Sequence, residues 1–122
     1  MIDIEAIKTI LLENQRAVIV LAVFIVLDIL TGVTKAAVNS ELVSSKFRQG
    51  IIKKIFEIIL IIVGFCIDYL TEMMFIGSSV SVFFCVMEGY SILENTSEFV
   101  ELPEILKTVL DQLQGEKNKD DI

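Results

Sequence analysis

Three apolar runs, at residues 17–38, 51–70 and 73–93, each enclose acidic side chains, and that pairing constrains the chain more than any other feature. A helix needs about 20 mostly apolar residues to cross the hydrocarbon core of a bilayer, whereas an Asp or Glu at its middle costs about 2.5–3.5 kcal/mol on insertion scales. Asp28 in the first run, Glu57 and Asp68 in the second and Glu88 in the third therefore need shelter from protein or water. The pattern predicts an all-α integral membrane protein with about three transmembrane helices and a C-terminal amphipathic helix. Its copies assemble into an oligomer that shelters the carboxylates. A hydrophobic share of 54% over 122 residues fits this class better than a soluble domain of the same size.

Residues 1–16 read as an amphipathic leader, with Ile4, Ile7, Leu11 and Leu12 on one face and charges between them. The membrane domain occupies residues 17–95, with spans near 17–38, 53–72 and 75–95 and a basic loop at 39–52. Asp28, Thr31 and Lys35 follow the uninterrupted apolar stretch 17–27 where a cleaved signal would need small residues, so the run is expected to stay in the mature chain. Lys35, Lys46, Arg48, Lys53 and Lys54 face only Glu41 in the first connection, which the positive-inside rule places in the cytoplasm. Three spans then leave the N-terminus outside and the C-terminus inside. Residues 68–72 and 77–79 both offer a turn between the second and third spans, which form a helical hairpin. Residues 96–122 make an acidic tail, in which Pro103 opens an amphipathic helix over 103–114, with Leu102, Ile105, Leu106, Val109, Leu110 and Leu113 as its stripe and Gly115 as its end.

A net charge of −7, concentrated after residue 93, argues against nucleic acid as a partner, because phosphate binding needs a basic surface. The chain has no His, and its two cysteines, Cys66 and Cys85, lie inside apolar runs as free thiols. Zinc sites and His-based acid–base constellations are thereby excluded, and no cofactor, metal or catalytic group is expected.

Positions three, four or seven apart share a helix face, and the polar residues of each run follow that spacing. Asp28, Thr31, Gly32 and Lys35 make one stripe. Lys54, Glu57, Gly64, Asp68 and Thr71 make a second, interrupted by Ile61. Gly77, Ser81, Glu88, Ser91 and Asn95 make the third. Small residues let helices approach closely and polar ones hydrogen-bond across the contact, so packing of a three-helix bundle is one reading. Lining of water after assembly is the other, since the acids outnumber the cations within the spans. Lys35 and Lys54, near the span ends, can snorkel to the interface.

Three segments resemble the toxin-secretion/phage-lysis holin family. Asp28-Ile-Leu-Thr-Gly-Val-Thr-Lys-Ala36 is similar to the family's D-x-x-T-G-x-x-K-A ending of the first span. Ser44-Ser-Lys-Phe-Arg-Gln-Gly-Ile-Ile-Lys-Lys54 resembles its S-S-K-x-x-x-G-x-x-K-K entry to the next. Glu88-Gly-Tyr-Ser-Ile-Leu-Glu-Asn95, followed by Leu102 and Pro103, resembles E-x-x-S-I-L-E-N with a downstream proline. Glu98-Phe-Val-Glu101 departs from the pattern, which has a glycine before the Leu-Pro pair. The resemblance implies a homo-oligomer of the bacterial cytoplasmic membrane that opens nonselective lesions. An endolysin or a toxin leaves through them without direct contact, and no reaction is catalysed. A small ion-channel or transporter subunit, or an antiholin-type regulator, would carry similar acids within its spans. The first predicts selective flux and the second no permeability of its own.

Overall fold

The computed structural model describes residues 3–39 and 44–120, which form five α-helices and no strand. Helix α1 runs Ile4–Glu13, α2 Gln15–Val38, α3 Ser44–Thr71, α4 Ile76–Ser97 and α5 Glu104–Asp120. α1 and α2 are separated only at Asn14, whose carbonyl still accepts the Val18 N–H at 3.2 Å. α4 is the central element and packs along both α2 and α3, while α5 lies against its far end. α1 folds back toward the other end of α3, where the Asp3 N–H donates to the Tyr69 hydroxyl at 2.8 Å.

The bundle is built inside out. Leu21, Ile61 and Phe84 make a small buried apolar cluster, with Ile25, Phe65, Val80 and Cys85 packed around it. Asn14, Glu57, Asp68, Ser81 and Glu88 are buried alongside them. Meanwhile Val18, Ile19, Val23 and Val26 of α2, Phe56, Ile59, Ile62 and Val63 of α3, and Val82, Phe83 and Val86 of α4 are exposed. Water would penalise such a surface at roughly 25 cal/mol per Å², whereas lipid tails would not.

Two helices, α2 and α4, are long and apolar enough to cross a membrane, where three were expected. α3 is the longest of the five, at 28 residues, but Lys53, Lys54, Glu57 and Asp68 interrupt its apolar run. Charge rather than length sets it apart. The basic segment is also not a loop, because Lys46, Arg48, Lys53 and Lys54 all lie on α3, which starts at Ser44. No proline or glycine stands between Ser44 and Gln49 to stop the helix from extending ahead of its apolar part.

Residues 72–75 join α3 to α4, so Gly77, Ser78 and Ser79, offered by the sequence as a turn, lie in the first turns of α4. Glu72 takes a left-handed backbone with φ 60°, a conformation that costs a non-glycine residue about 1–2 kcal/mol. α5 continues through Gly115 to Asp120, beyond its expected end. A Cβ at Gly115 would meet nothing within 4 Å, so nothing there demands a break. Leu102 and Leu110 are buried, but Ile105 of the expected stripe is largely exposed.

Candidate functional site

The polar stripes of α2, α3 and α4 converge in one half of the bundle. The Lys54 ammonium donates to Asp28 Oδ2 at 2.8 Å and to Glu88 Oε2 and Oε1 at 2.9 and 3.1 Å. One cation from α3 thus joins two carboxylates on two other helices, and three ammonium protons suit that task. Lys54, which stands on the polar stripe of α3 but near enough to its end to snorkel outward, turns into the bundle, where its ammonium offsets the Asp28 and Glu88 carboxylates. Asn95 extends the network from the last turns of α4, its Nδ2 donating to Asp28 Oδ1 at 3.3 Å and Thr31 Oγ1 at 3.1 Å. The Thr31 hydroxyl is itself held by the Leu27 carbonyl at 2.8 Å. Gly32 packs beside this network, and a Cβ there would stand 3.6 Å from Asn95 Nδ2, an ordinary contact.

At the edge of this network Lys35 pairs with Glu98 at 3.2 Å, and Asn39 Nδ2 donates to the same carboxylate at 3.4 Å. Glu98 opens the Glu98-Phe-Val-Glu101 connection that departs from the holin pattern, and it joins α2 to the end of α4. Three residues past Asn95 and seven past Ser91, it continues the α4 stripe, and that spacing is the sequence signal that could have found it. Ser91 is half-buried on α4 and, among the described residues, adds no hydrogen bond to the network. Arg48 and Lys53 stand exposed on α3, and nothing is described of the Lys46 side chain.

The opposite half is organised by Asp68, whose residue exposure is 0%. Its carboxylate accepts the backbone N–H of Ile76 at 2.9 Å and of Gly77 at 2.8 Å. Those are the first N–H groups of α4, which have no partner within their own helix, and Phe75 at the cap position offers none. Asp68 caps α4 from across the turn, with its negative charge at the positive end of the helix dipole. The same junction is the closest helix approach, as a Cβ on Gly64 would lie 3.1 Å from the Gly77 Cα and one on Gly77 would enter the Phe65 ring. Ser81 follows one turn later, its hydroxyl donating to the Gly77 carbonyl at 2.8 Å.

Between the two halves stands Glu57. It is 3% exposed, and neither carboxyl oxygen has a hydrogen-bond partner. A buried polar group left so costs about 1–3 kcal/mol even before any charge is counted. Among the described residues no cluster of three acidic or sulfur ligands is placed to hold a metal ion. The ion pairs and hydrogen bonds described join α2, α3 and α4 through a polar interior.

The bacteriophage holin family matches residues 5–115, a stretch that takes in every helix and every member of this polar seam. The chain belongs to that family. Its relatives include an uncharacterized protein of Clostridium perfringens strain 13, 37% identical over 105 residues that cover 83% of this chain and 77% of the relative. An uncharacterized 14.9 kDa protein of the same species is 40% identical over 103 residues, covering 81% and 77%. A third, from Clostridium acetobutylicum, is 33% identical over 99 residues, covering 79% of each chain. No solved structure matches. The holin family is not an enzyme family, and membership together with two apolar helices makes this a membrane protein.

For a holin-family bundle with so small an apolar core, the Gly64–Gly77 contact is a point of leverage. Gly64→Leu is expected to push α3 off α4 and lower stability by about 1–3 kcal/mol, as overpacking does in other well-packed contacts. Denaturation of the detergent-solubilised protein measures it. An unchanged midpoint would mean that the close approach does not hold the hairpin together.

Proposed function

We propose that this protein is a holin whose copies gather in the bacterial cytoplasmic membrane and open nonselective lesions. An endolysin or a toxin then leaves the cell through them. The observation that carries the reading is the inside-out bundle of a holin-family chain, with charges enclosed and branched apolar side chains outward. α3 serves as a third crossing. At 28 residues and about 1.5 Å each it is longer than the roughly 30 Å hydrocarbon core, and Lys54, Glu57 and Asp68 all face inward. With the basic start of α3 in the cytoplasm, three crossings leave the N-terminus outside and the acidic α5 inside.

Lesion formation requires many copies, and helices that meet in lipid through small and polar faces gain by adding neighbours. Inducing the protein in a bacterial host while following membrane potential and escape of a folded cytoplasmic enzyme tests the reading. An abrupt loss of both after a lag is expected. Potential falling without enzyme escape would favour a selective channel, and an intact cell would favour a regulator.

A further inference from the structure

The middle of the helical bundle presents a mainly apolar outer surface. Around α2, α3 and α4 the exposed side chains there are chiefly Val18, Val23, Phe56, Ile59, Val82, Phe83 and others of that kind, with the exposed polar Thr34, Lys53, Thr71 and Ser79 toward the helix ends. Adding copies side by side would line any gap between them with hydrocarbon. The polar surface that a water-filled lesion requires must therefore come from the interior, by separation of helices that are packed together here.

Which interior surface turns outward follows from how its acids are partnered. Asp28 and Glu88 share Lys54, and Asp68 is held by two backbone N–H groups of α4. Glu57, as deeply enclosed as Glu88, has no hydrogen-bond partner for either carboxyl oxygen among the described residues. It lies on the α3 face of Lys54, Ile61, Gly64 and Asp68, the face packed on α4. Water would give its oxygens the hydrogen bonds that the bundle withholds, whereas every other acid in the spans would lose a partner by moving into water.

We infer that opening peels α3 from α4 and turns the Glu57 face of α3 to the aqueous lumen, so that the three-helix bundle is the dormant form of the subunit. This rests on the holin reading and names the residue that water reaches first. The packed form is then held closed by the Lys54 triad and the Asp68 cap, one at each end, and held weakly in the middle.

Cysteine accessibility tests it in the intact membrane. In a background with Cys66→Ser and Cys85→Ser, Glu57→Cys and Ser81→Cys are probed with a membrane-impermeant maleimide before and after enzyme leakage begins. Val63→Cys serves as a lipid-facing control. Position 57 is expected to be protected before leakage and labelled after it, with Val63→Cys unlabelled throughout. Labelling at 57 before leakage, or protection at 57 after it whatever happens at 81, overturns the inference while leaving the holin reading intact. Absence of leakage from the parent protein removes the holin reading itself. Glu57→Leu adds a second readout: a lipid-compatible side chain in the closed interior should delay leakage relative to the parent, and leakage on the parent's schedule counts against the assignment.

Discussion

Lys54→Met is expected to cost about 3–5 kcal/mol, the range for removing one partner of a buried ion pair. The loss is not that of a single contact. Asp28 from α2 and Glu88 from α4 would face each other without the ammonium that now stands 2.8 and 2.9 Å from them. With the side chains largely enclosed, neither can recover hydration without opening the bundle. Replacing all three together, as Asp28→Leu, Lys54→Met and Glu88→Leu, should restore most of the stability, because an apolar replacement of a whole buried ionic group is often neutral or better. Unfolding of the detergent-solubilised protein, followed by loss of helicity, reads both variants. If the single substitution unfolds at the parental midpoint, the triad is an ornament of the fold rather than its clasp. In cells, the same single variant should accumulate poorly or leak early.

The second large effect belongs to Asp68→Ala, expected to cost about 2–4 kcal/mol. Loss of a helix cap alone costs about 0.5–2 kcal/mol, and here the two N–H groups left behind at Ile76 and Gly77 sit in a closed junction where water cannot replace the carboxylate. Asp68→Asn keeps one acceptor oxygen and should lose roughly half as much. Denaturation midpoints of the two variants, compared with the parent, give the order. Equal losses would mean that the charge of Asp68 matters and its bond count does not. A tolerated alanine would mean that α4 is capped by something other than Asp68.

Much of this arrangement is written in the spacing of polar residues. Because side chains three, four and seven apart share a helix face, the stripes through Asp28, Glu57, Asp68 and Glu88 follow from the chain alone, and the structure turns them inward. Partner choice did not follow. Lys54 stands on the polar stripe of α3, yet its position near the start of an apolar run also allows it to snorkel to the membrane surface. It turns inward because α2 and α4 bring two carboxylates to one point, and no periodicity along α3 contains that. Glu98, not among the candidate site residues read from the sequence, holds Lys35 and Asn39.

What the sequence determined by itself is the class of protein and the family. Apolar runs of bilayer length with enclosed acids admit few solutions other than helices in lipid, because a backbone there must satisfy its own hydrogen bonds. Local order also indicates which faces of the helices are polar, although not where α3 and α4 begin or where α5 ends. Only the tertiary structure decided which acids are satisfied. Asp68 meets α4 because a short turn returns the chain within reach of its own next helix, Asp28 and Glu88 meet one ammonium because three helices converge, and Glu57 meets nothing. Such distinctions depend on distances between residues far apart in the chain, and electrostatic and hydrogen-bond energies change over an ångström or two, far more finely than a one-dimensional pattern can specify.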